Sequence, residues 1–145
     1  MIEGQLALVV AAAFTGGAAY IGFAEQPARL GLDDRALLAE WKPAYKRGFA
    51  MQASLAAIGS LFGFVAAWRG QDGAWLAGAF LLLANWPFTL IAIMPTNILL
   101  MAIEPEKAGA RSRALIEKWG RLHAVRSALG ASATGAFLWA SLRSF

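Results

Sequence analysis

The chain has 145 residues, of which 59% are hydrophobic and 15% charged, with a formal net charge of +4. A charged fraction well below the globular norm of about 25%, together with a mean hydropathy of +0.53, indicates an integral membrane protein and disfavours a soluble one. The absence of cysteine excludes disulfides, thiol redox relays and iron–sulfur clusters.

Four runs without charged residues follow one another along the chain, and each is typical of a membrane-spanning helix. A bilayer core about 30 Å thick is crossed by roughly 20 helical residues, and only the last run, Ser127 to Leu142, is slightly short. We therefore predict an all-α integral membrane four-helix bundle that forms one domain over residues 1–145. The predicted spans are residues 4–24, 45–68, 74–101 and 120–142. The first is expected to be a retained helix, because it has no basic start and no small-residue cleavage site.

The third run departs from a plain span. It is longer than a bilayer requires and contains Pro87 and Pro95, each of which removes a helix donor and clashes with a carbonyl one turn earlier. We predict a kink or an early stop near Pro95, with Thr96 or Asn97 capping a new helical segment. Irregular backbone at membrane depth is tolerated only where protein or a wet cavity satisfies it, so this break indicates an internal site.

Small residues recur at four-residue spacing in two of the spans. The second contains Gly59 and Gly63, and the fourth contains Ser127, Ala131 and Gly135. Such spacings favour close helix packing in lipid. Packing within one four-helix bundle is the preferred interpretation, and a homodimer interface is the alternative.

Positive charge is concentrated in the two long connections. Residues 25–47 carry five of the 13 basic residues, and residues 104–126 carry six. By the positive-inside rule, both connections are predicted to be cytoplasmic and both termini to lie on the opposite side.

The same connections are predicted to contain amphipathic interfacial helices. Asp33 is suited to cap a short helix from Asp34 to Lys42, after which Pro43 fits the first turn of the second span. A second helix is expected to run without interruption from Ser112 into the fourth span. Four tryptophans are expected to anchor the bundle at the interface: Trp41, Trp68, Trp75 and Trp139.

One helix face at the start of the fourth span collects Trp119, His123 and Arg126, which are spaced four and three residues apart. Glu25 and Asn97 are expected at a similar depth. Because ionisable groups that face lipid cost several kcal/mol, we predict that these residues form a site on the cytoplasmic side. His123, Arg126, Glu25 and Asn97 are the candidate catalytic residues. The candidate ligand-binding residues supply aromatic walls and hydrogen bonds: Arg29, Tyr45, Trp86, Thr89, Thr96 and Trp119.

Each of these polar residues also has a purely structural interpretation. Arg126 can snorkel to the interface, Glu25 can pair with Arg126 or with Arg29, and His123 can be a neutral hydrogen-bonded group of the bundle. Trp86 lies too deep in the third run for an interface anchor, which leaves core packing or a ligand wall.

Metal and nucleic-acid chemistry have little support. One histidine does not suffice for a His-rich zinc site or a bis-histidine haem in a monomer, and no E-x-x-H pair, phosphate loop or serine-nucleophile motif occurs. We predict no cofactor, no metal and no nucleic-acid partner. Two alternatives stay open, a haem held by the single histidine and a metal ion held by Glu25 and His123.

Four polar motifs occur in or beside the predicted connections and the broken third run. They read EQPAR at 25–29, WKPAYKR at 41–47, NWPFT at 85–89 with MPTN at 94–97, and WGRLHAVR at 119–126. In this order they resemble the motifs of the anthrone-oxygenase-like family, small four-span membrane proteins of bacteria and fungi, most of unknown function. The resemblance covers essentially the whole chain. It implies a bacterial inner-membrane protein, in which the termini opposite the basic connections would be periplasmic. It places the shared polar positions at Glu25, Asn97, His123 and Arg126.

The resemblance also implies a reaction. Some fungal members oxidise anthrones to anthraquinones with molecular oxygen and without an evident cofactor. Here His123 would act as the general base, Arg126 and Asn97 would stabilise the oxyanion, and the carbanion would react with oxygen. The partners are then the lipid bilayer and a hydrophobic aromatic or quinone-like molecule. The alternative is a non-catalytic membrane module that binds a lipid, a quinone or a partner helix.

Overall fold

A computed structural model describes residues 1–143. Within them, four long helices pack side by side, each against the next and the last against the first. Short connections join neighbours, so the helices run alternately up and down. The helices are α1 (Ile2–Leu30), α2 (Asp34–Gly70), α3 (Gly73–Ala102) and α4 (Ala110–Arg143), with a 3₁₀ turn at Pro105–Lys107 between the last two.

Three of the four helices, α1, α2 and α3, are long and apolar enough to cross a membrane. Helix α4 does not meet the same criteria of length and hydropathy. Its charge-free part is short and contains serine, threonine and glycine, which lower the mean hydropathy. As predicted, α4 runs without interruption through Ser112 and the fourth apolar run. The chain is therefore all-helical in its described part, with three helices of membrane-spanning character.

Helices α1 and α3 each contain one wide π-helical turn. The turns are Ile21–Glu25 and Thr89–Ile93, and each ends two residues before a proline, Pro27 or Pro95. A wider turn relieves the clash between a proline ring and the carbonyl one turn earlier. Helix α3 has a further break at Ala84, three residues before Pro87. The prolines thus distort the helices without ending them.

Two details of the predicted boundaries are wrong. Asp33 caps α2 as predicted, since its Oδ1 accepts a hydrogen bond of 3.0 Å from the Ala36 N–H. However, no separate interfacial helix ends at Lys42, because α2 continues through Pro43 to Gly70. The last segment of α3 begins at Met94 without a side-chain cap, and Thr96 and Asn97 are buried inside it.

The bundle closes where large aromatic rings lie against glycines. The Phe137 ring of α4 occupies the space beside Gly63 and Gly78, where an added Cβ would lie 2.6 Å and 2.5 Å from ring carbons. The Phe14 ring of α1 lies in the same way against Gly130, at 2.6 Å. Close helix approach therefore depends on ring-against-glycine contacts.

Only part of the small-residue pattern serves this packing. Gly59 faces Leu82, at 2.6 Å for an added Cβ, whereas Gly135 has nothing within 4 Å and Ala131 is exposed.

The prediction that four tryptophans anchor the bundle at the interface also needs correction. Trp68 and Trp139 are exposed, as anchors require, but Trp41 and Trp75 are fully buried core residues.

The two basic connections meet at one end of the bundle. Lys42 donates hydrogen bonds to the Met101 and Ile103 carbonyls, and Arg113 bonds Asp34 together with two carbonyls of the first connection. At the opposite end, Arg69 pairs with Glu3. The positively charged end is therefore held by contacts between helices that are distant in sequence.

Candidate functional site

A small space, which we call the central cavity, lies among all four helices. Its volume is about 20 Å³, which is room for about one water molecule. The first and last residues of both π turns line it, so the distorted segments of α1 and α3 face the same space. Wide turns of this kind are frequent at functional sites. The lining residues are Ile21, Glu25, Arg29, Ala44, Tyr45, Gly48, Phe49, Gln52, Thr89, Ile93, Asn97, Trp119, His123 and Arg126.

His123 is held in one tautomer. Its side chain is only 2% exposed, and Nε2 lies 3.0 Å from the Ala18 carbonyl oxygen on α1. Because a carbonyl only accepts hydrogen bonds, Nε2 carries the proton and Nδ1 of the neutral ring is an acceptor. That Nδ1 atom is buried and has no partner among the described residues. The imidazole therefore has a free basic nitrogen and a fixed orientation, which is the arrangement a general base requires.

A column of aromatic rings fixes the imidazole further. Trp119 stacks on His123 with ring centroids 5.1 Å apart, and Trp41 meets Trp119 edge to face at 5.9 Å. Tyr45 in turn stacks on Trp41 at 4.8 Å. The Arg29 guanidinium lies 5.7 Å from the Trp119 centroid. These contacts restrict ring motion at the cavity wall.

Arg126 is a buried cation without a counter-ion. The residue is 7% exposed and forms no ion pair or hydrogen bond with the described part of the chain. The guanidinium carbon lies 5.8 Å from the centroid of the Phe14 ring. A largely buried guanidinium without a counter-ion is costly, and its Nε is buried without a partner among the described residues. Its position on the cavity wall suits it to stabilise a negative charge there.

Several neutral polar atoms on the cavity wall are also unpaired. They include both amide atoms of Asn97, the Thr89 hydroxyl and Oε1 of Gln52. Asn97 lies near the Tyr45 hydroxyl without a hydrogen bond of normal geometry, and that hydroxyl is 3.9 Å from the Met94 sulfur. Buried polar atoms are seldom left unpaired, so these four atoms stand out in the described part of the chain.

Arg29 closes the end of the cavity where the basic connections lie. It is 3% exposed and pairs both with Glu25, one turn earlier, and with Glu40 of α2 at 2.9 Å. Of the two predicted partners for Glu25, Arg29 forms the ion pair and Arg126 does not. The pairing ties α1 to α2 beside the cavity.

Replacing Arg29 with methionine is expected to destabilise the protein by about 1–3 kcal/mol, because two carboxylates lose their shared cation. The value lies below that for fully buried pairs, since Glu25 and Glu40 are 26% and 37% exposed. Thermal unfolding in detergent measures the effect. Arg35→Met is the matched control, since its pair with Glu106 is exposed and should contribute less than about 0.5 kcal/mol. Equal effects of the two substitutions would contradict a structural role for the Arg29 pairs.

Eight of the ten predicted site residues lie on the wall of the central cavity. They are Glu25, Arg29, Tyr45, Thr89, Asn97, Trp119, His123 and Arg126. Two do not. Trp86 is 39% exposed and lines a smaller adjoining space, with its Nε1 3.3 Å from the Ala53 carbonyl oxygen. Thr96 is buried away from the cavity.

Sequence reasoning missed Gln52 and Gln26. Gln52 is 1% exposed, and its side-chain amide donates a hydrogen bond to the Phe14 carbonyl oxygen. It lies within the second apolar run. Gln26 is 7% exposed and donates to the Ile116 carbonyl oxygen. A glutamine inside an apolar run was the available signal for Gln52. No group of three or more His, Cys, Asp or Glu residues suited to a metal occurs within residues 1–143.

Three helices that are long and apolar enough to cross a membrane indicate a helical membrane protein. The sequence model of the family described as anthrone oxygenase matches residues 41–136. The chain therefore belongs to the anthrone oxygenase family. The matched segment contains most of the cavity wall but excludes Glu25 and Arg29.

One curated relative supports the same family. The chain is 31% identical over 105 residues to a protein of Claviceps purpurea (strain 20.1) described as anthrone oxygenase. The alignment covers 64% of this chain and 60% of the relative, so the chain spans about 60% of the length of the relative that it matches. No solved structure matches the chain.

Proposed function

We propose that the chain is a four-span enzyme of the bacterial inner membrane that oxidises a lipophilic anthrone- or quinone-like aromatic compound with molecular oxygen, at a pocket on the cytoplasmic side and without a cofactor. The observation that carries the proposal is the free Nδ1 of His123 on the same cavity wall as the unpaired Arg126. A base beside an unpaired cation is suited to remove a proton and stabilise the anion that forms.

The reaction can be balanced with these groups. His123 Nδ1 takes a proton from the methylene carbon beside the aromatic rings, and the negative charge moves to the carbonyl oxygen, close to Arg126 and Asn97. The carbanion gives two electrons, one at a time, to oxygen, and a carbon–oxygen bond forms. The peroxide takes the proton back from His123. Loss of the second hydrogen from that carbon, with cleavage of the oxygen–oxygen bond, yields a quinone carbonyl and water.

The direct test is oxidation of anthrone by the purified protein in lipid nanodiscs. We expect one oxygen molecule to be consumed for each anthraquinone formed, followed with an oxygen electrode and by quinone absorbance. The rate should exceed the spontaneous oxidation of anthrone in empty nanodiscs. A rate equal to that background, for anthrone and for hydroxylated anthrones, would contradict the proposal.

A non-catalytic binding module is the second candidate. The observation that favours it over an enzyme is the size of the central cavity, about 20 Å³, which leaves no room for an aromatic substrate beside His123 in this conformation. Such a module would bind a lipid, a quinone or a partner helix without consuming oxygen, so the same assay separates the two functions.

We expect both basic connections to be cytoplasmic and both termini periplasmic, because the contacts of Lys42 and Arg113 bring the connections to one end. The chain has no cysteine, so single cysteines report topology directly. In spheroplasts, an impermeant maleimide should label Ile2→Cys, Gln71→Cys and Arg143→Cys, whereas Lys107→Cys should react only after lysis. Protection of Arg143→Cys would mean that α4 does not cross the bilayer.

A homodimer through the exposed stripe of α4 at Ala131 and Gly135 stays a prediction. Small residues at this spacing support close helix approach in lipid.

A further inference from the structure

Arg126 presents its guanidinium to open space in the interior of the bundle. The residue is 7% exposed and lines both the central cavity and the smaller adjoining space beside Trp86. Its Nε is buried, whereas its two terminal nitrogens remain accessible and form no hydrogen bond or ion pair within residues 1–143. These two nitrogens can therefore bind a small ion that occupies the cavity.

The charged residues on the cavity wall leave one positive charge without compensation. They are Glu25, Arg29 and Arg126, of which the first two form an ion pair with each other. Glu40, the second partner of Arg29, does not line the cavity and is 37% exposed, so solvent screens much of its charge. The charge of the wall therefore favours an anion beside Arg126.

Water in the cavity would meet only part of what this guanidinium lacks. A water molecule accepts hydrogen bonds from the terminal N–H groups, but it supplies no opposite charge, and a desolvated cation is stabilised chiefly by a counter-ion. A monovalent anion supplies both, through charge-assisted hydrogen bonds. The cavity volume of about 20 Å³ suits one particle close to water in size, which a halide ion is and a lipid phosphate is not.

We propose that the central cavity is a binding site for one chloride-sized anion, which accepts hydrogen bonds from the terminal nitrogens of Arg126 and acts as the counter-ion of this residue. The site is independent of any reaction. One consequence rests on the proposed function: because the oxyanion of that reaction would form beside the same guanidinium, chloride and the aromatic substrate should exclude each other.

The test is equilibrium binding of radiolabelled chloride to protein that is purified in sodium gluconate, whose anion is too large for the cavity, and embedded in nanodiscs of neutral lipid. We expect one chloride for each chain. Arg126→Met removes the cation and should weaken binding by about tenfold or more. Arg121→Met is the control, because Arg121 is an exposed arginine of the same helix outside the cavity wall, and it should bind like the wild type.

A second pair of variants tests whether the anion lies in the cavity. Gly48 lines the cavity, and an added Cβ there meets only Ile21 Cδ1, at 3.8 Å, so valine is accommodated and takes up cavity volume. We expect Gly48→Val to weaken chloride binding although Arg126 is unchanged. Gly135→Val is the control, since Gly135 has no atom within 4 Å of an added Cβ and does not line the cavity.

Thermal unfolding gives a readout that does not depend on the radiolabel. At constant ionic strength, replacing gluconate with chloride at about ten times its Kd should raise the Tm of the wild-type protein by about 3–6 °C, because the ion binds only the folded state. Arg126→Met should unfold at the same temperature in both salts, and Arg121→Met should respond like the wild type.

Three results would overturn the inference: no chloride bound by the wild-type protein, unchanged binding in Arg126→Met, or unchanged binding in Gly48→Val. If chloride binds as expected but no anthrone is oxidised, the anion site stands and the proposed function fails. If anthrone is oxidised, chloride should raise KM for anthrone and leave kcat unchanged. A KM that does not respond to chloride would show that the anion and the substrate do not share Arg126.

Discussion

Replacing His123 with glutamine is expected to lower the turnover of anthrone by about 10²- to 10⁴-fold, the usual contribution of a positioned general base. Glutamine retains a donor for the Ala18 carbonyl and similar volume, but it has no basic atom in place of Nδ1. The rate constant kcat should therefore fall while KM changes little. Oxygen uptake under saturating anthrone measures the effect.

Ser127→Ala is the control for this substitution. Ser127 lies one turn further along α4, and its hydroxyl bonds only the His123 carbonyl of its own helix, at 3.2 Å. We expect turnover within about twofold of wild type. Full activity of His123→Gln would show that proton removal does not depend on the imidazole.

Replacing Arg126 with methionine is expected to reduce turnover by about 10²- to 10³-fold, because the anion formed during proton removal loses its buried cation. The same change should leave the protein as stable as before or more stable by about 1 kcal/mol, because a desolvated charge without a counter-ion is replaced by an apolar side chain of similar length. Oxygen uptake and thermal unfolding, measured on one preparation, give both results.

Arg29→Met provides the opposite pattern for comparison. Arg29 is also buried, but it is paired with Glu25 and Glu40, so its loss should lower stability. If Arg126→Met instead destabilised the protein as much as Arg29→Met and left turnover of the folded fraction intact, Arg126 would be a structural residue.

The helix face shared by Trp119, His123 and Arg126 could be predicted, because residues three and four apart on a helix are neighbours irrespective of tertiary structure. The start of α2 after Asp33 could also be predicted, because N-capping depends on the side chain of one residue. Such features depend on a few consecutive residues.

The parts that could not be predicted depend on contacts between distant helices. The pairing of Arg29 with Glu40 and the bond between His123 and Ala18 each require two helices to meet at one register. Trp41 and Trp75 are tryptophans near the ends of predicted spans, as interface anchors are, yet the packing of the bundle buries both. The sequence around Pro27 and Pro95 likewise does not indicate whether the helix ends there or widens into a π turn. The outcome depends on whether neighbouring helices satisfy the backbone groups that the distortion leaves free.

In the proposed reaction, His123 removes a proton from a carbon of a bound aromatic compound. Hydrogen exchange of the anthrone methylene group in deuterated water, without oxygen, measures this step alone. In nanodiscs, we expect the wild-type protein to accelerate deuterium incorporation well above the rate in empty nanodiscs, and His123→Gln to return it to that rate. Equal exchange with the wild-type protein, with the variant and with empty nanodiscs would show that His123 does not remove this proton.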